Sequence, residues 1–251
     1  MPERTSSPET APRAPHHRLA VTATLGALLL SADLELHAPW TVLFGPSGSG
    51  KSSLLRAMCG FEVGSPATSI QFTRIASDGT SRRLDDVPSS RRDIAYAPQS
   101  PALLPHLDVG RNVSFPFEVC ASPVRDSTVV DEALGLFKLH ALAERRHREL
   151  SGGEAQRVNL ARAFATPGAK LLLLDEPFNG IDRATRDALL PELLRVAAER
   201  GVPVVSVTHD VEEALRLEAE VVRIDAGRVM AQGPAREVLA DEVKRIAAVM
   251  R

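Results

Sequence analysis

The sequence predicts an α/β fold with a mainly parallel sheet, and three observations support this. Short apolar strands alternate with longer segments of helical periodicity across residues 170–224, an order typical of a parallel sheet covered by helices. Residues 40–59 add a further strand, a glycine-rich loop and a helix. A region punctuated by prolines, followed by helical spacing of apolar residues, lies between these parts, so we predict a helical insert.

The sequence of the N-terminal third predicts a tail followed by β-rich material. Residues 1–17 are rich in Pro, Ser, Thr and Arg with little that is apolar, which predicts a flexible tail. Strand-like segments occupy residues 19–36 and return at residues 69–96, so we predict β-rich material that flanks the glycine-rich loop. Residues 19–30 have some likeness to the apolar core of a secretion signal, but their polar interruptions favour a strand at the sheet edge.

Helical periodicity and helix breakers divide the rest of the chain. Apolar spacing predicts a helix at residues 131–142. Pro191 lies inside the longest helical pattern, which predicts a kink there or two shorter helices. The remaining predicted elements are strands at 171–174, 202–207, 221–224 and 229–231, helices at 184–200 and 211–217, and a last helix from about Pro234.

Composition argues against several classes of protein. The chain of 251 residues has 30 Lys and Arg against 32 Asp and Glu, a balance that does not favour nucleic acid as a partner. Its two cysteines, Cys59 and Cys120, lack the spacing of a metal site, which favours a reducing compartment. No run reaches the roughly 20 apolar residues that a membrane span requires, so we predict a soluble chain.

The octapeptide at residues 45–52 fits the phosphate-loop pattern G-x-x-x-x-G-K-[ST] at every fixed position. Its glycines let backbone N–H groups approach the phosphates of a nucleotide, Lys51 supplies a positive charge, and Ser52 supplies a hydroxyl ligand for Mg²⁺. A strand before the loop and a helix after it, stopped by Gly60, aim a helix N-terminus at the anion. The predicted nucleotide-binding residues are Gly45, Pro46, Ser47, Gly48, Ser49, Gly50, Lys51, Ser52 and Ser53.

Two adjacent carboxylates end the apolar strand that begins at Leu171. In a nucleotide site, a carboxylate at the C-terminal end of a strand can hold Mg²⁺, and its neighbour can act as general base on the attacking water. We therefore assign Asp175 to the metal and Glu176 to the base. A solvated strand end is the alternative for such a pair alone, and the phosphate loop upstream favours the catalytic interpretation.

The segment LSGGEAQR at residues 150–157 begins a helix. Ser151 and Glu154 form an S-x-x-E capping box before a helical run of apolar residues. Gly152 and Gly153 weaken the first turn by roughly 1 kcal/mol each relative to Ala, so an ordinary capped surface helix would not need them. They leave the first N–H groups uncovered, and we predict that this helix start receives a terminal phosphate.

In content and order, these motifs resemble the ATP-binding cassette ATPases. The resemblance covers about residues 19–240 and rests on the phosphate loop, Gln99, LSGGEAQR, LLLLDEP and His209. It implies a P-loop NTPase core with a mainly parallel sheet, an antiparallel β subdomain and an α-helical signature subdomain. It also implies ATP and Mg²⁺ as cofactors. The family pattern is a head-to-tail dimer in which the phosphate loop of one subunit and the LSGG of the other enclose each ATP.

The resemblance also assigns roles to residues by position. The implied catalytic residues are Glu176, His209, which would contact the γ-phosphate, and Gln99, which would sense Mg²⁺ and the attacking water and face the membrane partner. The implied metal ligands are Ser52, Gln99 and Asp175. The residues implied to contact ATP across the dimer are Ser151, Gly152, Gly153 and Asp182.

The resemblance implies the following domain organisation. A flexible tail at residues 1–17 precedes one ATPase domain at residues 18–251. Within that domain, residues 18–98 and 165–251 form the nucleotide-binding core with its β subdomain. Residues 99–164 form the helical subdomain that carries the signature motif.

Two segments, LLPHL at residues 103–107 and RDALLPEL at residues 186–193, are similar to the ATPases of molybdate importers. This similarity implies an ATPase that drives import of a small solute, such as molybdate or a related oxyanion. The implied partners are a second ATPase subunit, integral membrane permease subunits and a periplasmic or extracellular solute-binding protein, without nucleic acid. The implied location is peripheral, at the cytoplasmic face of the inner membrane.

Three alternatives stay open at this point. The cargo of the importer could instead be sulfate, phosphonate, a polyamine or a sugar, since the ATPase does not touch it. Soluble cassette ATPases of DNA repair, chromosome structure or translation form a second class, but the sequence shows no long coiled coil, second cassette or basic face. A nucleotide-binding regulator without turnover is the third, and Glu176 and His209 argue against it.

The sequence departs from the family pattern at two places. No aromatic residue stands near residues 22–27 to stack on adenine, so we expect either lower adenine affinity or Leu25 as an apolar platform. Asn179, Gly180 and Ile181 replace the usual small residues before Asp182. Because glycine adds backbone freedom, we expect a looser loop there.

Overall fold

The computed structural model describes residues 16–36, 39–65, 68–120 and 127–249 of the chain. Within these residues, ten strands form one sheet. The strands are β1 (His16–Leu25), β2 (Leu28–Leu36), β3 (Trp40–Phe44), β4 (Ser69–Ile75), β5 (Ser81–Arg83), β6 (Ile94–Ala97), β7 (Leu171–Asp175), β8 (Val204–Thr208), β9 (Glu220–Asp225) and β10 (Arg228–Pro234). The α-helices are α1 (Lys51–Cys59), α2 (Val109–Ser114), α3 (Pro116–Val119), α4 (Ser127–Leu136), α5 (Gly152–Phe164), α6 (Arg183–Arg200), α7 (Val211–Arg216), α8 (Ala235–Val238) and α9 (Ala240–Val249).

The sheet joins a parallel half to an antiparallel half. Its strand order is β5-β4-β1-β2-β10-β9-β3-β8-β7-β6. Strands β9, β3, β8, β7 and β6 pair in parallel. Strands β1, β2, β4 and β5 pair antiparallel, and β10 connects the halves by pairing antiparallel to β9 and parallel to β2. The predicted α/β fold is therefore confirmed.

Apolar clusters cover both faces of the parallel strands. In β7, Leu172 and Leu174 pack into a cluster that includes Phe164 of α5 and helices α4 and α6. The alternate residues Leu171 and Leu173 pack into the other cluster, with helix α1 and the antiparallel strands. Because both faces are buried, β7 has an unbroken apolar run, which is why it could be predicted from the sequence.

The stretch predicted as an edge strand lies inside the sheet. Strand β1 pairs with β2 on one side and with β4 on the other, and the edges are β5 and β6. The strand begins at His16, so His16 and His17 lie in the sheet although we predicted them in the tail. His17 is 1% exposed and stacks on Phe72 at a ring separation of 5.6 Å, so it behaves as a core side chain. The rest of the predicted tail lies outside the described residues.

The helix predicted at residues 131–142 has the wrong bounds. Helix α4 ends at Leu136, and a separate 3₁₀ turn occupies His140–Leu142. Lys138 takes a left-handed φ of 54°, and the N–H of Leu139 returns to Leu134 O at 2.7 Å, which closes the helix. Leu139 is fully buried although it lies after the helix. The apolar pattern in the sequence therefore continues beyond the end of the helix.

Helix α6 is continuous through Pro191, so the alternative of two shorter helices is wrong, and the alternative of a kink remains a prediction. Pro191 lies on the exposed side of the helix, while Leu190 and Leu193 on the other side are buried in the core. The loss of one main-chain hydrogen bond on the solvent side is offset by this packing. The other predicted elements occur within a few residues of their expected bounds, except that the last helix is divided into α8 and α9. Across the described ranges, no helix is long and apolar enough to cross a bilayer.

The buried histidine predicts how stability depends on pH. Burial, with Arg74 nearby, lowers the pKa of His17 from 6.5 to about 4. Because the unfolded chain binds this proton more tightly than the folded chain, His17 favours the folded state above pH 6.5, and this contribution is lost as the pH falls towards 4. We expect His17→Phe to remove about 2 kcal/mol of the fall in unfolding free energy between about pH 7.5 and pH 5.0.

Urea unfolding of the parent and of His17→Phe at these two pH values measures the difference. His140→Gln is the control, because the His140 side chain is 56% exposed. Equal pH dependence in the parent and in His17→Phe would contradict the assignment.

Candidate nucleotide site at the carboxyl ends of the parallel strands

The phosphate loop connects β3 to α1 at the centre of the parallel sheet. Gly48 and Gly50 have positive φ angles of 79° and 100°, which favour glycine. A β-carbon on Gly45 would lie 2.0 Å from the carbonyl oxygen of Ile224, so a larger residue does not fit there. Helix α1 starts at Lys51 and ends at Cys59 with Gly60 as its C-cap, which agrees with the sequence prediction.

Lys51 holds the phosphate loop together in this structure. The side chain is 6% exposed, and Nζ donates to Gly45 O at 2.9 Å and to Pro46 O at 2.7 Å. Burial lowers the pKa of Lys51, and the carboxylates of Glu176 and Asp175 oppose the shift. The ammonium group therefore lies within the loop, close to two acidic side chains.

Ser52 and Asp175 meet although 123 positions separate them in the chain. Ser52 Oγ donates to Asp175 Oδ1 at 2.9 Å, and the Tyr96 hydroxyl donates to Asp175 Oδ2 at 3.5 Å. Asp175 is 4% exposed; burial raises its pKa, and the hydrogen bond from Ser52 opposes the shift. Both side chains are among the predicted metal ligands.

The donor set at Ser52 and Asp175 fits Mg²⁺. Hydroxyl and carboxylate oxygens are the hard ligands that Mg²⁺ prefers, and this ion commonly takes one or two carboxylates together with water and substrate phosphates. Among the residues that the structure describes, no group of three His, Cys, Asp or Glu side chains could hold a metal ion.

Glu176 lies at the meeting point of three loops. Gln99 Nε2 donates to Glu176 Oε2 at 3.0 Å, and His209 Nδ1 lies 3.5 Å from Glu176 Oε1. These residues follow β6, β7 and β8, and the carboxyl ends of parallel strands are where α/β proteins bind ligands. The structure therefore brings the three predicted catalytic residues together.

The backbone at Glu176 is strained. Its φ is 46°, in the left-handed region that residues other than glycine rarely adopt. The N–H of Glu176 donates to Val207 O at 3.1 Å, which fixes the peptide against β8. Such strain persists only where surrounding contacts hold it, and it is common in functional sites.

Two neighbours of the acidic pair were not predicted from the sequence. Tyr96 contacts Asp175, and Asn179 Nδ2 lies 3.5 Å from Glu176 Oε2. The sequence indicated only that Tyr96 belongs to a short strand. Asn179 was identified from the sequence only as a departure from the family pattern. It lies three residues after Glu176, and this spacing could have indicated a turn that brings the two side chains together.

The signature segment and the loop before Asp182 adjoin each other. Glu154 N–H donates to Ser151 Oγ at 3.3 Å and Ser151 N–H donates to Glu154 Oε2 at 2.7 Å, which confirms the capping box. Asp182 caps α6 by accepting from the N–H of Thr185 at 2.9 Å. A β-carbon on Gly153 would lie 2.6 Å from Gly180 O. The residues predicted to contact ATP across a dimer therefore lie on two segments that touch.

Gly180 has a conformational role that the sequence did not reveal. Its φ is 76°, and the N–H of Ile181 donates to Phe178 O at 3.1 Å in the same turn. Glycine is favoured there by the left-handed conformation. The looser loop that we expected remains a prediction.

The two glycines of the signature segment are expected to respond differently to alanine. Gly153→Ala would push a methyl group into the main chain at Gly180, whereas a β-carbon on Gly152 meets nothing within 4 Å. We expect Gly153→Ala to lower the free energy of unfolding by about 1–3 kcal/mol, because the clash is with backbone. Gly152→Ala, as the matched control, should be neutral or stabilising by up to about 1 kcal/mol. Chemical denaturation measures both, and equal effects would contradict the close contact.

Three leucines of the β1–β2 hairpin lie near glycines of the neighbouring loops, and the role of Leu25 as an adenine platform remains a prediction. Leu25 is half-buried, and its side chain lies beside Gly64. Leu28 and Leu30 lie beside Gly50, since a β-carbon there would be 3.7 Å and 2.8 Å from their methyl groups. Of these three leucines, Leu28 and Leu30 are thus the ones shown next to the phosphate loop.

The fold and the site together define an ATP-binding cassette. The sequence profile of one family, described as ABC transporter, matches residues 31–179, more than half of the chain. The chain belongs to this family.

Its relatives include import proteins for several cargoes. The molybdenum import ATP-binding protein ModC of Rhodopseudomonas palustris strain BisB18 is 38% identical over 225 residues, which cover 89% of this chain and 58% of that protein. The Fe(3+) ions import ATP-binding protein FbpC of Streptomyces avermitilis is 40% identical, with 87% and 62% covered. The spermidine/putrescine import ATP-binding protein PotA of Roseobacter denitrificans is 37% identical, with 82% and 54% covered. The chain thus spans little more than half the length of these relatives.

The fold also matches a solved structure. The ATP-binding cassette MJ0796, a dimer in a post-hydrolysis state bound to ADP and Pi, superimposes with a TM-score of 0.73. The two sequences are 24% identical, and the match covers 88% of this chain and 99% of that chain. The likeness confirms the cassette fold.

Proposed function

We propose that this chain binds and hydrolyses ATP as the ATPase subunit of an importer. The observation that carries the proposal is the contact of Ser52 with Asp175 at 2.9 Å, immediately before Glu176. It joins a phosphate-binding loop to an acidic strand end, which is the arrangement that phosphoryl transfer to water requires. The match to the family profile supports the same assignment.

Each site residue has a role in the proposed reaction. The loop N–H groups and Lys51 bind the β- and γ-phosphates. Ser52, Asp175 and Gln99 would hold Mg²⁺, which neutralises phosphate charge when bound. Glu176 accepts a proton from water as the water oxygen bonds to the γ-phosphorus and the bond to the ADP oxygen breaks. Gln99 orients the attacking water, and His209 contacts the γ-phosphate.

The surroundings of the Glu176 side chain support its proposed role as a base. It is 18% exposed, so water reaches it, while the His209 side chain is 66% exposed and free to turn towards a phosphate. Gln99 Nε2 donates to one carboxylate oxygen at 3.0 Å and His209 Nδ1 approaches the other. A carboxylate held from both sides keeps a fixed direction towards the attacking water.

We propose that two copies of the chain bind head to tail. Ser151, Gly152 and Gly153 at the start of α5, with Asp182, would contact the ATP held by the other subunit. The support is that α5 is thirteen residues long and capped, so its N-terminus carries partial positive charge and free space for a phosphate at Gly152. Binding of ATP closes the dimer, and hydrolysis reopens it.

Phosphate release from the purified chain tests the catalytic proposal. We expect release from ATP in the presence of Mg²⁺ and its loss with EDTA. Absence of release both from the chain alone and from the chain with its membrane partner would overturn the proposal.

We propose import of molybdate or a related oxyanion as the process that this ATPase drives. The support is the similarity to ModC, although FbpC and PotA match at nearly the same identity. The chain would lie at the cytoplasmic face of the inner membrane, bound to permease subunits that receive cargo from a solute-binding protein.

Purification of the tagged chain from its source membranes tests the partners. Recovery of a multispanning permease supports the importer, and recovery of DNA or ribosomes instead would overturn it. The ATPase rate of the recovered complex with molybdate, sulfate, spermidine or Fe³⁺, each with its binding protein, then identifies the cargo. Stimulation by another cargo but not by molybdate would overturn the molybdate assignment alone.

A further inference from the structure

Two buried side-chain amides project from α5 onto the loops that carry the catalytic residues. Gln156 is 2% exposed, and its Nε2 donates to Pro177 O at 3.0 Å and to Glu176 O at 3.3 Å. Asn159 is fully buried, and its Nδ2 donates to Pro98 O at 2.9 Å. Since Pro98 directly precedes Gln99, one amide holds the peptide of the base and the other holds the peptide beside its glutamine partner.

The position of these amides on α5 gives them a shared direction. Gln156 and Asn159 are three residues apart and therefore neighbours on one side of the helix. Gly153, a further three residues towards the N-terminus, packs against Gly180 in the loop that follows Glu176. The same side of α5 thus contacts the Glu176 loop twice and the Gln99 loop once.

A buried amide is costly unless it makes hydrogen bonds, so its placement is informative. Gln156 Oε1 is buried and has no hydrogen-bond partner among the described residues. A leucine or methionine would avoid that cost. The side chain therefore contributes through its Nε2 donor, which is directed at the peptide of Glu176.

The Nε2 group of Gln156 helps to hold the strained backbone of Glu176. The peptide groups on both sides of Glu176 are fixed, the N–H by Val207 O at 3.1 Å and the carbonyl by Gln156 at 3.3 Å. With a φ of 46° held between these contacts, the carboxylate is directed at Gln99 Nε2, 3.0 Å away. A shift of α5 would move both peptides and change the Gln99–Glu176 contact.

We infer that Gln156 and Asn159 are positioning residues that fix the Gln99–Glu176 pair to α5. In this role, which rests on the proposed function, they link two events within one subunit. The start of α5 receives the nucleotide of the partner subunit, and the side of the same helix sets the base for the subunit's own nucleotide.

Kinetics of substituted chains test this role. Gln156→Met keeps the length of the side chain and removes both hydrogen bonds, and Asn159→Leu removes one. For each variant we expect kcat to fall about 10- to 100-fold, with KM for ATP changed less than about 3-fold, because a displaced base affects the chemical step and not nucleotide binding.

Asn112→Leu is the matched control. Asn112 is 1% exposed, and its Nδ2 donates to main-chain carbonyls at Leu104, Leu107 and Asp108, and not to the peptides at Pro98 or Glu176 that Asn159 and Gln156 hold. Its loss should lower thermal stability but leave kcat per folded molecule at the parental value. A folded Gln156→Met or Asn159→Leu chain with the kcat of this control would overturn the inference.

A double substitution separates positioning from a general loss of stability. If Gln156 acts through the Gln99–Glu176 pair, Gln156→Met added to Gln99→Met should lower kcat less than the product of the single losses, because the contact is already broken. Losses that multiply would overturn the inference. A parent chain without ATPase activity both alone and with its membrane partner, or a fully active Glu176→Gln chain, would overturn the proposed function as well, whereas a Gln156→Met chain with parental kcat overturns only the positioning role.

Discussion

The Glu176→Gln chain is expected to bind ATP and to hydrolyse it about 10²- to 10⁴-fold more slowly than the parent. The carboxylate at this position has the Gln99 amide at 3.0 Å and the His209 ring at 3.5 Å, so it lies where an attacking water would be oriented. Glutamine has the same shape but cannot accept the proton, and removal of a general base costs about this factor. Phosphate release under single-turnover conditions measures the rate.

The same variant is expected to accumulate as a dimer with ATP bound. Because hydrolysis is the step that reopens the proposed dimer, its loss should trap the closed form, which gel filtration with ATP and Mg²⁺ detects. Glu199→Gln is the control, since Glu199 is an exposed carboxylate on α6 that pairs with Arg195. A Glu176→Gln chain that hydrolyses ATP at the parental rate would refute the role of this residue.

The parallel half of the fold could be predicted because its strands are buried on both faces. In β3 and β7 every residue is buried, so the sequence shows short, mainly apolar runs that end at a glycine loop or an acidic pair. Strand β1 was harder to place. Its alternating pattern fits an edge or an interior antiparallel strand equally well, and the pairing partner β4 becomes visible only in the structure.

The site could be predicted where the chemistry lies in consecutive residues. The phosphate loop, Asp175 with Glu176, and the Ser151–Glu154 capping box are local patterns, and each has the expected local geometry. Gln156 illustrates what sequence reasoning missed. It follows the signature glycines within a helix, and only the packing of α5 against the Glu176 loop distinguishes it from a solvent-facing glutamine.

The Lys51→Ala chain is expected to lose ATP binding itself. Lys51 is the buried cation within the loop, and each hydrogen bond to a charged group contributes about 1.5–3 kcal/mol, so we expect Kd for ATP to rise roughly 100-fold or more. The same substitution removes bonds to Gly45 O and Pro46 O, so thermal unfolding must show that the variant is folded.

Equilibrium binding of a fluorescent ATP analogue measures the affinity, with Lys170→Ala as the control because Lys170 is exposed. The two substitutions at the site then separate two functions. Lys51→Ala removes affinity, so no trapped dimer can form, whereas Glu176→Gln keeps affinity and removes turnover. A folded Lys51→Ala chain with parental affinity would show that the phosphates bind elsewhere, and the catalytic assignments at Asp175 and Glu176 would lose their basis with it.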